Sequence, residues 1–267
     1  MTEARPLLID REGALLRLTL NRPDAGNAID VPMAKALMYA AIEADEDPAV
    51  RAVLLTGTGR LFCVGGDLGA FAAAAGADKL PQLLKEITSY LHSAISRLAR
   101  MEKPLLTAVN GPAAGAGLSL AILGDLVIAA RSAHFTLAYT AIGLSPDGGS
   151  TWLLPRLVGL RKAQDLALTN ARTSADEAAA MGLVTRVAED ETFAAEVAKT
   201  AESLLASATG ALGRTRQLLL SSFGATLEGQ MEAEARAIAS AGRSAEGREK
   251  IAAFLAKRRT DPKGRQS

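Results

Sequence analysis

Two short runs rich in glycine and alanine contain the residues of this sequence best suited to chemistry at a backbone. The first is Gly65-Gly66-Asp67, and the second is Gly115-Ala116-Gly117. Turns of this kind expose successive N–H groups, and a helix that follows adds about half a positive charge at its N-terminus. A pair of such donors could stabilise an oxyanion on a bound carbonyl group.

Neither turn matches a nucleotide-binding motif. A P-loop needs Gly-x4-Gly-Lys-Ser/Thr, and both turns lack the lysine. Gly111, Gly115 and Gly117 have the wrong spacing for the Gly-x-Gly-x-x-Gly fingerprint of dinucleotide sites. On spacing alone, glycines that only permit close packing remain an equal alternative to an oxyanion site.

Two polar side chains near these turns could suggest other chemistry. Asp67 has no second carboxylate or histidine at a recognisable spacing, so no metal site is predicted. Ser119 lacks the surrounding Gly-x-Ser-x-Gly of a nucleophile elbow. Its place one turn into a predicted buried helix fits a small core or pocket-lining residue.

Strands and helices must alternate to position the two turns. The sequence predicts strands at 15–20, 51–56, 105–109, 126–130, 134–138 and 183–187. It predicts helices at 31–45, with Asp30 as N-cap and Pro32 in the first turn, at 79–101, and from about Leu118. This is an α/β pattern. The pattern becomes helical and more charged near residue 194, which divides the chain into a core at 1–193 and a helical region at 194–267.

Composition limits the classes of partner. The 267 residues are 49% hydrophobic, and 30 basic against 29 acidic side chains leave a net charge of +1. Such a balance gives no global field to attract nucleic acid or an anionic membrane. Cys63 is the single cysteine, and no apolar stretch reaches the ~20 residues of a membrane span. No signal-like segment follows Met1, so the expected location is the cytoplasm.

Several separated motifs closely resemble the crotonase (enoyl-CoA hydratase/isomerase) superfamily in order and spacing. They are Phe62-Cys63-Val64-Gly65-Gly66-Asp67-Leu68, then Lys103-Pro104 leading to Asn110-Gly111-Pro112-Ala113-Ala114-Gly115-Ala116-Gly117, then Gly143-Leu144-Ser145-Pro146-Asp147-Gly148-Gly149. Asn21-Arg22-Pro23 upstream and Glu246-Gly247 downstream fit the same pattern. The resemblance covers nearly the whole chain.

The resemblance implies a spiral core of repeated strand-strand-helix units, a C-terminal helical trimerisation region, and a homotrimer or a dimer of trimers. It implies an acyl-CoA thioester as substrate and no separate cofactor, because CoA is part of the substrate. It also maps the two oxyanion N–H groups onto Gly66 and Ala116. That assignment agrees with the independent interpretation of the two turns.

The same resemblance implies a set of substrate contacts. Those expected near the CoA or the acyl group are Ala25, Cys63, Gly65, Gly66, Asp67, Leu68, Ala116, Ser119, Tyr139 and Pro146. Phe254 and Lys257 match positions that often reach a CoA held by a neighbouring subunit. Without the resemblance, this helix end would be interpreted as solvated surface.

Hydratases of this family position water with two glutamates, and the resemblance places Ser119 and Tyr139 at those positions. Neither side chain can act as a carboxylate base, so hydration by two glutamates is not expected. Asp147 is the remaining carboxylate, and residues 146–159 closely resemble the epoxyphenylacetyl-CoA isomerase subgroup. One carboxylate suffices to move a proton between two carbons. The resemblance therefore favours an isomerase acting on an enoyl-CoA or a ring-epoxide acyl-CoA.

Three alternatives remain. Considered locally, Asp147 could only cap the turn ahead of the helix that contains Trp152. His92, Tyr139 and Asp147 match the spacing of the 4-chlorobenzoyl-CoA dehalogenases, which place His, Trp and Asp there. In those enzymes the Asp attacks an aryl ring and the His assists hydrolysis of the resulting ester. The third alternative is a non-catalytic thioester-binding protein that kept the CoA site.

Overall fold

Six strands form the central sheet of the described chain. The computed structural model describes residues 5–260, with side chains through residue 256. The strands of both sheets are β1 (Leu7–Glu12), β2 (Leu15–Leu20), β3 (Ala52–Gly57), β4 (Leu105–Val109), β5 (Ala113–Ala114), β6 (Leu126–Ala130), β7 (His134–Thr136), β8 (Thr173–Ser174) and β9 (Arg186–Ala188). The central order is β1-β2-β3-β4-β6-β9, with all pairs parallel except β1 and β2. β3 and β4 are nearly continuous apolar runs because both faces of the sheet are covered.

Helices cover the two faces of this sheet. Their bounds are α1 (Val31–Glu46), α2 (Leu68–Gly76), α3 (Leu80–Arg100), α4 (Ala116–Ala121), α5 (Ser150–Val158), α6 (Leu160–Thr169), α7 (Ala175–Ala180), α8 (Phe193–Ala206), α9 (Thr209–Ser221), α10 (Leu227–Arg243) and α11 (Ala245–Thr260). On one face α1 packs against α3, and Leu37, Leu91 and Leu98 are fully buried there. On the other face α8 packs through Val197 and Ala201. The α/β prediction is confirmed.

The start of α1 follows from its local sequence. The Asp30 carboxylate accepts a hydrogen bond from the Met33 N–H at 2.8 Å and so satisfies one of the donors left free at a helix N-terminus. Pro32 lies in the first turn, where the missing N–H removes no hydrogen bond. Both features confirm the predicted cap. The long amphipathic helix predicted at 79–101 is also confirmed as α3.

A second sheet of three strands places the second glycine turn beside the first. Within the described residues its order is β5-β7-β8. β5 leads directly into Gly115, and Ala113 of β5 pairs with Cys63 in a parallel bridge. The Gly115 N–H donates to the Thr136 carbonyl of β7 at 3.1 Å. These bonds hold the two turns against each other.

Several elements differ from the sequence predictions. β1 is not predicted, because as the edge strand of the sheet it is largely exposed and lacks an apolar run. α4 begins at Ala116 rather than near Leu118. The strand predicted at 183–187 lies at Arg186–Ala188. It starts later because the residues after α7 form a turn, in which the Leu183 N–H donates to the Ala178 carbonyl. The strand predicted at 134–138 ends at Thr136.

A buried arginine joins the C-terminal helices to the core. Arg216 of α9 is 8% exposed, and its Nε lies 2.8 Å from the Asp125 carboxylate. Its guanidinium also donates to the Leu98 carbonyl at 3.0 Å and to the Met101 carbonyl, both at the end of α3. One side chain therefore satisfies a carboxylate and two orphan carbonyls at a helix C-terminus.

We expect Arg216→Met to lower the free energy of unfolding by about 2–4 kcal/mol, because it removes the ionic partner of Asp125 and one hydrogen bond from each of the Leu98 and Met101 carbonyls. The matched control is Lys162→Met, which removes an exposed pair with Asp165 at 2.9 Å and should cost less than about 1 kcal/mol. Urea denaturation measures both variants. Equal shifts would contradict the role assigned to Arg216.

Candidate active site

The two glycine turns approach each other so closely that side chains do not fit between them. A Cβ added at Gly117 would lie 2.1 Å from the Cys63 carbonyl oxygen, and one added at Gly65 would lie 2.9 Å from the Ala114 carbonyl oxygen. Gly65 also has a φ of +98°, which L side chains rarely adopt. Glycine is therefore needed at both positions for the turns to meet.

The direction of the Gly66 N–H follows from the bonds of its neighbours. Ile29 donates its N–H to the Gly65 carbonyl at 2.7 Å and accepts the Asp67 N–H at 3.1 Å. In such a parallel bridge the backbone groups of Gly66 point away from Ile29. No residue of the described chain accepts a hydrogen bond from the Gly66 N–H. Gly66 lines a cavity on that side.

Ala116 supplies a second donor to the same cavity. It is the first residue of α4, so its N–H has no acceptor within the helix. Gly66 and Ala116 both line a cavity of about 270 Å³. The two residues predicted to supply the oxyanion donors therefore line one cavity, and their joint action on an oxyanion stays a prediction.

The cavity is mainly apolar. Its apolar side chains are Ile29, Val64, Leu68, Phe71, Leu84, Ile87, Leu91, Ala138, Ile142 and Leu144. Among the described residues that line it, Asp147 is the only carboxylate, and no lysine or arginine lines it. A ligand here would place an uncharged group against the aliphatic wall, with a single acidic side chain beside it.

Asp147 is held by hydrogen bonds at its side chain and at its backbone. Its Oδ1 accepts from the Tyr139 hydroxyl at 2.5 Å. Its main-chain carbonyl accepts from the Ser119 hydroxyl at 3.0 Å and the Ser150 hydroxyl at 2.9 Å. The residue before α5 is Gly149, and no side chain caps that helix. The alternative that Asp147 only caps the helix is therefore wrong.

Tyr139 is a buried neutral donor to this carboxylate. Burial raises the pKa of its phenol well above the ordinary value, and the nearby charge and hydrogen bond of Asp147 raise it further. The hydroxyl therefore keeps its proton over the working pH range. Tyr139 thus occupies Oδ1, whereas Oδ2 accepts no hydrogen bond from the described residues.

His92 stands on the far side of Asp147. Its Nε2 lies 3.8 Å from Asp147 Oδ2 and accepts the Gly148 N–H at 3.1 Å. A ring nitrogen that accepts an N–H does so through its lone pair, so this contact is made by an Nε2 without a proton. Half of the His92 side chain is exposed. The structure thus brings together the three side chains that the dehalogenase alternative requires.

The side chains of Cys63 and Asp67, both in the first glycine run, are bonded to other residues of the chain. Cys63 is fully buried, its thiol donates to the Asn27 carbonyl at 3.2 Å, and burial raises its pKa to about 12. Asp67 accepts the Ala70 N–H at 3.0 Å and pairs with Arg22 at 2.9 Å. These bonds lower the pKa of Asp67, the Ala70 bond most. Neither side chain lines the cavity.

The other expected contacts are spread around the cavity. Leu68 lines it and is 57% exposed. Ser119 is buried behind Asp147, and Pro146 is half-buried next to it. Ala25 is exposed on a turn outside the cavity wall. Their contacts with a ligand stay predictions.

The two residues expected to reach a neighbouring subunit belong to α11. Phe254 is 61% exposed. The side chain of Lys257 lies outside the described residues. Phe254 is not among the described residues that line the chain's own cavity.

The sequence does not predict the position of Phe71 over Gly66 or the ion pairs of Arg22. A Cβ on Gly66 would lie 2.4 Å from the Phe71 ring, so this ring covers the donor turn. Arg22 pairs with Asp30 at 3.2 Å as well as with Asp67, and so links the N-caps of α1 and α2. The apolar stripe of α3 gave a usable signal for the cavity, since Leu84, Ile87 and Leu91 line it.

A metal site and a membrane-spanning helix each require particular features of the described residues. Within residues 5–260 no three His, Cys, Asp or Glu side chains are grouped as metal ligands would be. In the same part of the chain, no helix has the length and the apolar character that crossing a bilayer demands.

Comparison with known proteins gives a consistent result. The family model described as enoyl-CoA hydratase/isomerase matches residues 10–265. The 1,2-epoxyphenylacetyl-CoA isomerase of Escherichia coli K12 is 41% identical over 92% of this chain and 94% of its own length. The 4-chlorobenzoyl coenzyme A dehalogenase-2 of an Arthrobacter species is 33% identical over 88% of this chain and 85% of its own. The crystal structure of an enoyl-CoA hydratase from Polaromonas sp. JS666 has a TM-score of 0.88 at 35% identity, covering 94% and 97% of the two chains.

We expect Cys63 to stay unlabelled by a thiol reagent in the folded protein, because it is fully buried and its pKa is raised to about 12. Unfolding in urea should release the single thiol of the sequence and give one equivalent of label. Cys63→Ser is the control that takes up none. Rapid labelling of the folded chain would show that this turn opens and that its packing is not as described.

Proposed function

This chain belongs to the enoyl-CoA hydratase/isomerase family, and we propose that it isomerises the acyl group of a CoA thioester with Asp147 as the proton carrier. One observation carries the proposal. Among the described residues that line the cavity, Asp147 is the only carboxylate, and it shares that cavity with the N–H groups of Gly66 and Ala116. Moving a proton from one carbon to another needs no second carboxylate.

In this proposal the thioester oxygen binds between the Gly66 and Ala116 N–H groups. Removal of a proton from the carbon next to the carbonyl turns this oxygen into an enolate oxyanion. Each donor aimed at such an oxyanion is typically worth ~2.7–4 kcal/mol of barrier. The contact between the two turns supports this role, because it fixes both donors before the substrate arrives.

Asp147 would accept the proton from one carbon and return it to another. Tyr139 supports this step, since its hydrogen bond to Oδ1 holds the carboxylate in one orientation. The serine hydroxyls at the Asp147 carbonyl hold the backbone in the same way. A positioned general base of this kind typically contributes ~10²–10⁴-fold in rate.

The cavity supports an uncharged acyl group. Its aliphatic wall would favour an unsaturated chain or a ring, and the similarity to a 1,2-epoxyphenylacetyl-CoA isomerase supports a ring-derived group. No lysine or arginine of the described chain lines the cavity, so the phosphates of CoA would lie outside it. Hydration by two glutamates is not favoured, because the Ser119 and Tyr139 hydroxyls are both hydrogen-bonded around Asp147.

A hydrolytic dehalogenase is the second candidate. The distance of 3.8 Å between His92 Nε2 and Asp147 Oδ2 favours it, together with the similarity to an Arthrobacter dehalogenase. Against it, Tyr139 stands where those enzymes have Trp, and His92 Nε2 is engaged by Gly148. A thioester-binding protein without catalysis is the third candidate. The hydrogen bonds that hold Asp147 beside the cavity argue against it.

The same proposal includes a homotrimer or a dimer of trimers. Large apolar side chains are exposed on the C-terminal helices and the turn between them, at Leu219, Phe223, Leu227, Met231, Ile238 and Ile251. Exposed apolar area of this extent is typical of a surface that another protein covers. These residues support assembly through the C-terminal region.

The Gly66 N–H can be tested with a matched pair of variants. Phe71→Ala removes the ring that a Cβ at Gly66 would strike. In that background Gly66→Ala keeps the N–H and Gly66→Pro removes it. We expect turnover of the proline variant to be ~10²–10³ lower than that of the alanine variant. Equal turnover in two folded variants would place the oxyanion donor elsewhere.

Asp147→Asn keeps the size of the side chain and its bond from Tyr139, but it cannot take up a proton. We expect isomerisation to fall at least ~10²-fold while calorimetry shows that thioester binding is retained. Exchange of the thioester α-proton with deuterated water should fall in parallel. The exposed Asp165→Asn is the control and should have no effect.

The outcomes separate the candidates. Full isomerisation by Asp147→Asn would contradict the proposed mechanism. Release of halide from a halogenated aryl thioester would favour the dehalogenase instead. In His92→Gln the aryl ester on the enzyme would then accumulate and be visible as added mass. Binding of thioesters with neither reaction would favour the non-catalytic protein.

A further inference from the structure

His92 separates the active-site cavity from a second, open groove. The groove lies between α1 and α3 and has a volume of about 690 Å³. Its lining includes Met38, Ile42, Asp45, His92, Ser93 and Arg97. Among these, Asp45 and Arg97 are paired with each other at 2.8 Å. His92 therefore touches solvent on one side, and on the other it lies near the carboxylate that faces the cavity.

The arrangement of His92 suits a proton acceptor. Nε2 accepts the Gly148 N–H at 3.1 Å, so it presents its lone pair toward the loop of Asp147. Asp147 Oδ2 lies 3.8 Å from the same nitrogen. Oδ1 is already occupied by Tyr139. A proton on Oδ2 thus has one basic nitrogen within a small side-chain movement, in which Nε2 gives up the Gly148 N–H and accepts the carboxyl proton.

The Asp147 side chain is 27% exposed in the free protein, so a separate route to water matters once substrate is bound. The cavity wall is mainly aliphatic, and a bound acyl group would fill it. Tyr139 is the other titratable side chain among the described residues that line the cavity, and burial raises its pKa so that it keeps its proton. Of the described groups around Asp147, His92 is the one that both presents an imidazole nitrogen to the carboxylate and reaches open solvent.

We propose that His92 is a proton relay that exchanges the proton on Asp147 with solvent, without taking part in the bond changes of the substrate. The proposal rests on the proposed function, since Asp147 must first take a proton from the thioester. Asp147 then passes that proton to Nε2, which gives a carboxylate and an imidazolium. The imidazolium releases its Nδ1 proton to water in the groove. Reversal of these transfers brings a solvent proton back to Asp147.

Each catalytic cycle then has two outcomes for the proton. Asp147 returns it directly to the second carbon, or His92 exchanges it first. The ratio of the two is independent of the overall rate, because the competition begins after the proton has left the substrate. A residue that only stabilises the loop would change the rate without changing this ratio.

The test uses an isomerisable acyl-CoA thioester that carries deuterium on the carbon that loses its proton, in ordinary water. Mass spectrometry of the product at low conversion gives the ratio of exchanged to retained deuterium. In His92→Gln the ratio should fall roughly tenfold or more, since positioned proton transfer typically contributes ~10²–10⁴. The amide oxygen of glutamine can still accept the Gly148 N–H, so the loop of Asp147 keeps this hydrogen bond.

Two further variants make the result specific. His134→Gln changes the other histidine of the sequence, which contacts Arg172 away from the cavity, and its ratio should equal that of the wild type. His92→Ala opens the groove, and added imidazole should restore exchange there. Isomerisation with an unchanged ratio in both His92 variants would overturn the relay and leave the proposed function standing. A wild type that neither isomerises nor exchanges deuterium would overturn both.

Discussion

The contact between the two glycine turns is the constraint on which the rest of the structure depends. Gly65 and Gly117 must lack a Cβ for the turns to meet. The short strand β5 and the bridge from Cys63 hold one turn in place, while Ile29 holds the other. Backbone donors fixed in this way need no rearrangement when charge develops on a substrate, which is where most electrostatic stabilisation by enzymes arises.

Asp147 is held by hydrogen bonds on several sides, as a carboxylate that must serve two carbons in the proposed reaction would need. Its backbone is held by serine hydroxyls, its Oδ1 by Tyr139, and its next peptide N–H by His92. The cavity around it is mainly aliphatic, so few polar groups compete for the remaining oxygen. The resemblance places Ser119 and Tyr139 at the glutamate positions of the hydratases, and the hydroxyls of both residues donate hydrogen bonds to Asp147.

The sequence predicts the features that depend on local rules and misses those that depend on distant contacts. The Asp30 cap, the long helix α3 and the glycine turns each carry a local signal. Strands of two residues such as β5 and β8 are too short for a periodic pattern. The pairing of Asp67 with Arg22 joins residues far apart in sequence, so no local pattern predicts it, and the expected ligand contact of Asp67 stays a prediction. The fold class and Asp147 could therefore be identified early, whereas Phe71 over the donor turn could not.

The central claim is that the two turns and Asp147 act on one thioester. A crystal structure of the protein with a non-isomerisable saturated acyl-CoA would test it most directly. The account predicts the thioester oxygen about 3 Å from both the Gly66 and the Ala116 nitrogens. It also predicts the adjacent carbon beside the Asp147 carboxylate, with the acyl group in the apolar cavity. A thioester oxygen bound away from these two nitrogens, or an acyl group outside the cavity, would contradict it.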